Sequence, residues 1–351
     1  MKFLIRLFGR LMAWLIALGV GYGALVMLGP SVTIDEARVV APQLPGSELP
    51  GSGLQGSESP GSGLRALEAW LAEREDAVPD LRPQARKQII WAQPEAPART
   101  PLSVVYLHGY SATRVETAPL ADSVAQALGA NLYYTRLRGH GRDGAAMAEA
   151  TVEDWLSDTR EALAVARQIG ERLVVIGTST GATLALWAAA DAPERDAIAA
   201  LALISPNFGP ADKRSTMLNW PGGGVLAELV LGPEYSWEPA NEAQAAGWTT
   251  AYPTRALLPM MALVDFINQP KRLARVEVPT LFMHTPDDQV VDVAAIRRGF
   301  EALGSERRQI AVVSETSAPS RHVIAGDVLS PETTGPLART IVEFVRTSAG
   351  G

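Results

Sequence analysis

Apolar residues along most of this chain come in short unbroken runs, separated by longer stretches where they recur every third or fourth position. The unbroken runs are Lys87–Ala92, Leu102–Leu107, Asn131–Leu137, Arg172–Gly177, Ile198–Ile204, Thr280–His284 and Gln309–Val313, and they read as strands. The periodic stretches Arg65–Glu75, Glu116–Leu128, Thr151 to about Ile169, Ala182–Ala190 and Leu337–Val345 read as helices. In the first of them Leu67, Trp70 and Leu71 share one stripe; the third opens on Thr151-Val-Glu-Asp154, a capping-box pattern. Strands that are apolar on both faces and alternate with helices predict an α/β fold, a mostly parallel sheet covered on both sides. Ligands of such sheets bind at the carboxyl ends of the strands.

Two regions break this rhythm. Leu11–Gly29 carries no charge, follows Lys2, Arg6 and Arg10, and is followed by no Lys or Arg until Arg38. Its length and flanking charges predict a transmembrane signal anchor over residues 1–29, with the membrane as a partner and the folded domain on the non-cytoplasmic (periplasmic or extracellular) side. A cleaved signal peptide is the rival reading; the run is long for one, and no clear small-x-small site ends it. Residues 30–64 are expected to be a linker, since Pro45–Leu64 reads PGSELPGSGLQGSESPGSGL. The folded domain is then expected over 65–351. Within it, residues 206–275 form an insertion rich in aromatic residues, with Phe208, Trp220, Tyr235, Trp237, Trp248, Tyr252, Phe266 and the Met260-Met261 pair. An insertion of this length predicts a cap over a site. Its aromatic and Met side chains either line an apolar pocket or form the cap's own small core.

Composition narrows the chemistry. The 351 residues, 47% hydrophobic and 20% charged, support a large core in one domain with insertions or in two. The net charge of −7 leaves no basic footprint for nucleic acid. The absence of cysteine excludes disulfides, thiol catalysis and thiolate metal sites.

The strand ending at Gly177 runs through Gly177-Thr178-Ser179-Thr180-Gly181 into a helix. A G-x-S-x-G turn between strand and helix is a nucleophile elbow: it strains the serine backbone and exposes its hydroxyl at the end of the strand. A serine hydroxyl needs a histidine to take its proton and a carboxylate to orient that histidine. In strand-turn-helix hydrolases the order is serine, acid, histidine. Of the four histidines, His284 and His322 follow Ser179. His322, in a loop after the last strand, is the expected base. The acid is expected after Thr280–His284, where Asp287, Asp288 and Asp292 stand. Asp288 is preferred, Asp287 stays open beside it, and Asp292 reads as a helix cap.

With these pieces in order the chain resembles the α/β-hydrolase superfamily, in the branch of carboxylesterases, monoacylglycerol lipases and serine aminopeptidase-like hydrolases. The resemblance covers about residues 86–347 and rests on Leu107-His108-Gly109-Tyr110, Arg138-Gly139-His140-Gly141, the elbow, Asp288-Gln-Val-Val291 and Ser320-Arg-His322. It implies that the amides of Tyr110 and Thr180 receive an oxyanion, and that His108 and His140 organise turns. It also implies a serine hydrolase of carboxylic esters, acyl or lipid-like, working through an acyl-enzyme on a small-molecule ester with no metal or organic cofactor. Two alternatives stay open: an amide hydrolase of the aminopeptidase type, with Glu234, Glu238 or Glu242 holding a free amine, and a non-catalytic tethered binding module.

Overall fold

The computed structural model describes residues 2–28, 32–40, 43–45 and 62–348. All seven apolar runs become strands of one sheet: β1 (Gln88–Ile90), β2 (Thr100–Leu107), β3 (Asn131–Tyr134), β4 (Gly170–Thr178), β5 (Ile198–Ile204), β8 (Thr280–His284) and β9 (Arg308–Val312), in the order β1-β3-β2-β4-β5-β8-β9. The short strands β6 (Glu234–Ser236) and β7 (Ala251–Pro253) pair separately as an antiparallel hairpin inside the cap. In the main sheet only the edge pair β1–β3 is antiparallel.

The alternation of side chains divides the core in two. Val105, Leu107, Val175, Leu201, Leu203 and Phe282 point to one face, beneath α5 (Val152–Ile169) and α6 (Thr180–Asp191). Val104, Tyr106, Val174, Ile176, Ala202, Ile204 and Met283 point to the other, beneath α3 (Leu120–Leu128) and α12 (Pro331–Ser348). Burial on both faces is why these strands read as continuous apolar runs. Helix α5 starts where the capping box places it: Thr151 Oγ1 accepts from the Asp154 amide at 3.2 Å and Asp154 Oδ2 accepts from the Thr151 amide at 2.9 Å. Such a cap is worth about 1 kcal/mol.

Helix α3 differs from expectation. A 3₁₀ turn, Arg114–Glu116, and a break at Pro119 precede it, so the α-helix starts at Leu120 and not at Glu116. That frees Glu116 to turn inward, where it is buried. Helix α2 (Ser62–Asp76) buries Leu67 and Leu71 and is tied to the loop after β3 by Glu75, which takes two hydrogen bonds from Arg136 at 2.9 and 2.7 Å. Two parallel N–H donors on one carboxylate make this a strong and directional link.

The remaining helices are α1 (Lys2–Leu28), α4 (Gly144–Met147), α7 (Gly223–Leu231), α8 (Glu242–Gly247), α9 (Leu257–Ile267), α10 (Pro270–Leu273) and α11 (Val293–Ala302). Among the described residues no helix is long and apolar enough to cross a membrane. The expected anchor is therefore corrected. The membrane partner and the non-cytoplasmic, membrane-anchored placement that rested on it fall with it. Gly29 and most of Pro45–Leu64 lie outside the described residues. The described part of residues 32–45 lies along the domain. The Asp35 amide donates to Glu153 at 2.9 Å, the Val40 amide to Ser157 Oγ at 3.0 Å, and Trp187 Nε1 to Glu36 at 3.1 Å.

Candidate active site

The elbow forms at the carboxyl end of β4, near the middle of the sheet. Ser179 has φ 52° and ψ −115°, a backbone conformation that costs an L-residue of order 1–3 kcal/mol. Its amide donates to Ile204 O at 2.8 Å, which fastens the turn to β5. The flanking glycines are needed for closeness. A Cβ on Gly181 would lie 2.0 Å from Leu107 O, and one on Gly177 would lie 2.6 Å from Gly181 O. Gly109, in the turn after β2, is as tightly placed: a Cβ there would lie 2.9 Å from Glu116 Oε2 and 3.4 Å from Ser179 Cβ.

Asp288 and His322 meet. His322 Nδ1 and Asp288 Oδ2 are 2.8 Å apart and buried. A carboxylate only accepts, so Nδ1 carries a proton, and in the neutral ring Nε2 is the acceptor. Asp288 is fixed in turn, since its Oδ1 accepts from the amides of Val290 at 2.8 Å and Val291 at 3.0 Å. The adjacent Asp287 makes no such contact; its amide donates to Thr285 Oγ1. Asp292 caps α11 by accepting from the Ala294 amide at 3.0 Å. The His322 backbone is held by Ser205, whose Oγ donates to His322 O at 2.7 Å, and the Gln289 amide ties the acid loop to Ser320 O at 3.0 Å.

The other histidines are turned away from this chemistry. His108 Nε2 accepts from the Leu137 amide at 3.0 Å while Nδ1 faces Gly109 O at 2.9 Å, and burial pushes its pKa down to about 4. It is a neutral strut between two turns. His140 packs edge-on against Tyr110 and Trp155, and burial likewise holds it well below the usual imidazole range. His284 is fully buried with Nδ1 facing Thr285 O.

Ser179 and His322 lie on the wall of one cavity of about 710 Å³, together with Tyr110 and Thr180. Thr180 opens α6, so its amide stands at the positive end of the helix. Neither the Tyr110 nor the Thr180 amide donates to another backbone carbonyl among the described residues. From the insertion, Tyr235, Trp237, Trp248, Tyr252, Met260 and Met261 line the cavity. The other aromatics serve elsewhere: Phe208 stacks on Phe282 with ring centres 5.8 Å apart, Phe266 lies beneath the Arg272 guanidinium, and Trp220 is exposed. Among the described residues no group of three or more His, Asp or Glu side chains is arranged to hold a metal ion.

Two residues of this neighbourhood escape a reading of the sequence. Ser205 directly follows β5 beside the elbow, and its place at a strand's carboxyl end is the signal that could have found it. Glu116 gives no such signal, because its local sequence reads as the exposed start of a helix.

Comparison with known proteins agrees with this architecture. The chain is 26% identical over 222 residues to a thermostable monoacylglycerol lipase of Bacillus sp. (strain H-257), covering 62% of this chain and 83% of the relative. It superposes with a TM-score of 0.61 and 22% identity on a structure described with the metagenome-derived lipolytic enzymes LipS and LipT, covering 76% of this chain and 99% of that one. A soluble variant of monoglyceride lipase from Saccharomyces cerevisiae, in complex with a substrate analog, matches with a TM-score of 0.58 and 15% identity over 75% of this chain and 91% of its own. At these identities the superpositions speak for the fold. The family model described as serine aminopeptidase, S33, matches residues 99–317. That span runs from β2 past β9 and takes in the elbow, the cap and the acid loop, and by it the chain belongs to the serine aminopeptidase S33 family of α/β hydrolases.

Proposed function

We propose that this enzyme is a serine hydrolase that cleaves carboxylic esters with an apolar acyl group. Ser179 Oγ attacks the ester carbonyl and His322 Nε2 takes its proton. Asp288 holds the imidazole by Nδ1–H and stabilises the imidazolium. The Tyr110 and Thr180 amides receive the oxyanion, and each such donor is worth about 3–4 kcal/mol of the barrier. The tetrahedral intermediate collapses, the alcohol leaves with the proton from His322, and an acyl group remains on Ser179. Water then repeats the sequence and releases the acid.

The observation that carries this reading is the buried Asp288–His322 pair sharing one cavity wall with a serine in a strained elbow. The acyl preference follows from the apolar wall and from the lipolytic names of the relatives. A second reading, amide hydrolysis, has one observation in its favour: of Glu234, Glu238 and Glu242, Glu238 lies in the cavity wall. The test compares p-nitrophenyl butyrate with an aminoacyl p-nitroanilide, using wild type, Ser179→Ala, His322→Ala and Asp288→Asn. Ester turnover should fall by at least about 10³-fold in the first two and by ~10²–10⁴-fold in the third. Ester turnover at wild-type rate in Ser179→Ala would overturn the mechanism, and faster cleavage of the anilide would replace the ester reading with the amide one.

A further inference from the structure

The proposed reaction leaves a buried carboxyl beside it unused. Glu116 Oε1 accepts from the Gly109 amide at 2.6 Å and from the Tyr106 hydroxyl at 2.8 Å. Tyr106 Oη has given its only proton to Glu116, so at its 3.0 Å contact with Thr178 Oγ1 it accepts from the threonine. The chain of donors therefore runs Thr178 to Tyr106 to Glu116, with Gly109 donating from the other side. Thr178 directly precedes the nucleophile, and Gly109 directly precedes Tyr110. The second carboxyl oxygen, Oε2, would lie 2.9 Å from a Cβ placed on Gly109, and Ser179 Cβ would lie 3.4 Å from the same point.

We propose that Glu116 is a positioning residue of the oxyanion site: it links the turn after β2 to the elbow, and so fixes the spacing between the Tyr110 and Thr180 amides. This rests on the assignment of those amides in the proposed function. A carboxyl suits the task because one oxygen takes two donors that a buried apolar side chain would leave unpaired. A full negative charge next to a forming oxyanion would oppose the reaction, and the surroundings weaken the tendency to carry it. Burial, the largest influence, raises the carboxyl to about 7, against the lowering effects of the Gly109 amide, the Tyr106 hydroxyl and the nearby His322.

The test uses the full-length enzyme and three variants: Glu116→Ala, Glu116→Gln and Tyr106→Phe. Glutamine keeps an oxygen for both donors, and phenylalanine cuts the link to Thr178 while leaving Glu116 in place. Each is assayed for kcat and KM on p-nitrophenyl butyrate, and for inhibition by an alkyl boronic acid, which forms a tetrahedral adduct on serine. Glu116→Ala should lose about 30–100-fold in kcat with KM within threefold, and boronate affinity should fall in parallel with kcat/KM. Glu116→Gln should recover most of that loss, and Tyr106→Phe should lose about 3–10-fold in the same pattern. If Glu116→Ala does not fold, Tyr106→Phe alone decides. Glu116→Ala or Tyr106→Phe within twofold of wild-type kcat, or a change confined to KM with boronate affinity unaltered, would overturn the proposal. Ser179→Ala serves as control: residual turnover there strikes the nucleophile assignment, whereas a dead Ser179→Ala beside an unaffected Glu116→Ala strikes this inference alone.

Discussion

Glu116 is a carboxyl placed where its ionised form is poorly tolerated, and that has a cost that depends on pH. Its folded-state pKa of about 7 stands above the ordinary value of 4.5. Below about pH 4.5 both folded and unfolded chains are protonated and nothing is lost. As pH rises to about 7 the unfolded chain ionises first, and stability falls by on the order of 3 kcal/mol before levelling off. Glu116→Gln removes this slope, so urea unfolding of the two proteins at pH 4.5 and pH 7.5 should show the glutamine variant gaining on wild type at the higher pH. An unchanged gap would mean that the carboxyl titrates alike in the folded and unfolded chains. His108 has the opposite sign: its depressed value costs stability as pH falls from about 6.5 toward 4. Residues differed sharply in how legible they were. Ser179 declares itself because its strand, glycines and helix are contiguous. The choice between Asp287 and Asp288 turns on one peptide's orientation, and in the fold Asp288 is the one that takes the Val290 and Val291 amides and the His322 ring. Glu116 was invisible because its partners come from β2 and the turn after it, and local periodicity says nothing of such contacts.

At the scale of elements the strands were the most legible, because burial on both faces writes itself as an unbroken apolar run. Helix starts were legible where a cap announced them. The box before α5 is the clearest, and Thr151→Ala should cost about 1 kcal/mol and lower Tm by about 2 °C with no change in kcat. A thermal melt that does not move would show that α5 is held by packing alone. Helix α3 starts four residues later than its periodicity predicts, since Glu116 and Thr117 fit a helical period and the chain's turn through Pro119 breaks it. The contacts of residues 32–45 had no signature either. They are made by single backbone amides and by Glu36 reaching across to α6, and no periodic face records them.

For the whole molecule, the sheet and its cap divide the work: strand ends carry the proposed chemistry and the insertion supplies most of the apolar wall. Each methylene that the wall covers contributes up to about 0.8 kcal/mol, so kcat/KM on p-nitrophenyl esters should rise by up to about fourfold per methylene from acetyl toward octanoyl. A flat or falling series would show that acyl chains do not use this cavity. The two parts are also joined through one residue. Tyr110, whose amide is proposed to receive the oxyanion, sends its hydroxyl 2.7 Å to Ala256 O and sets its ring edge-on to Tyr252, both in the insertion. Selectivity and speed consequently share a hinge pin. An engineer who grafts a foreign roof onto this scaffold to admit a different ester will also detune turnover, unless the graft brings a carbonyl to the same spot.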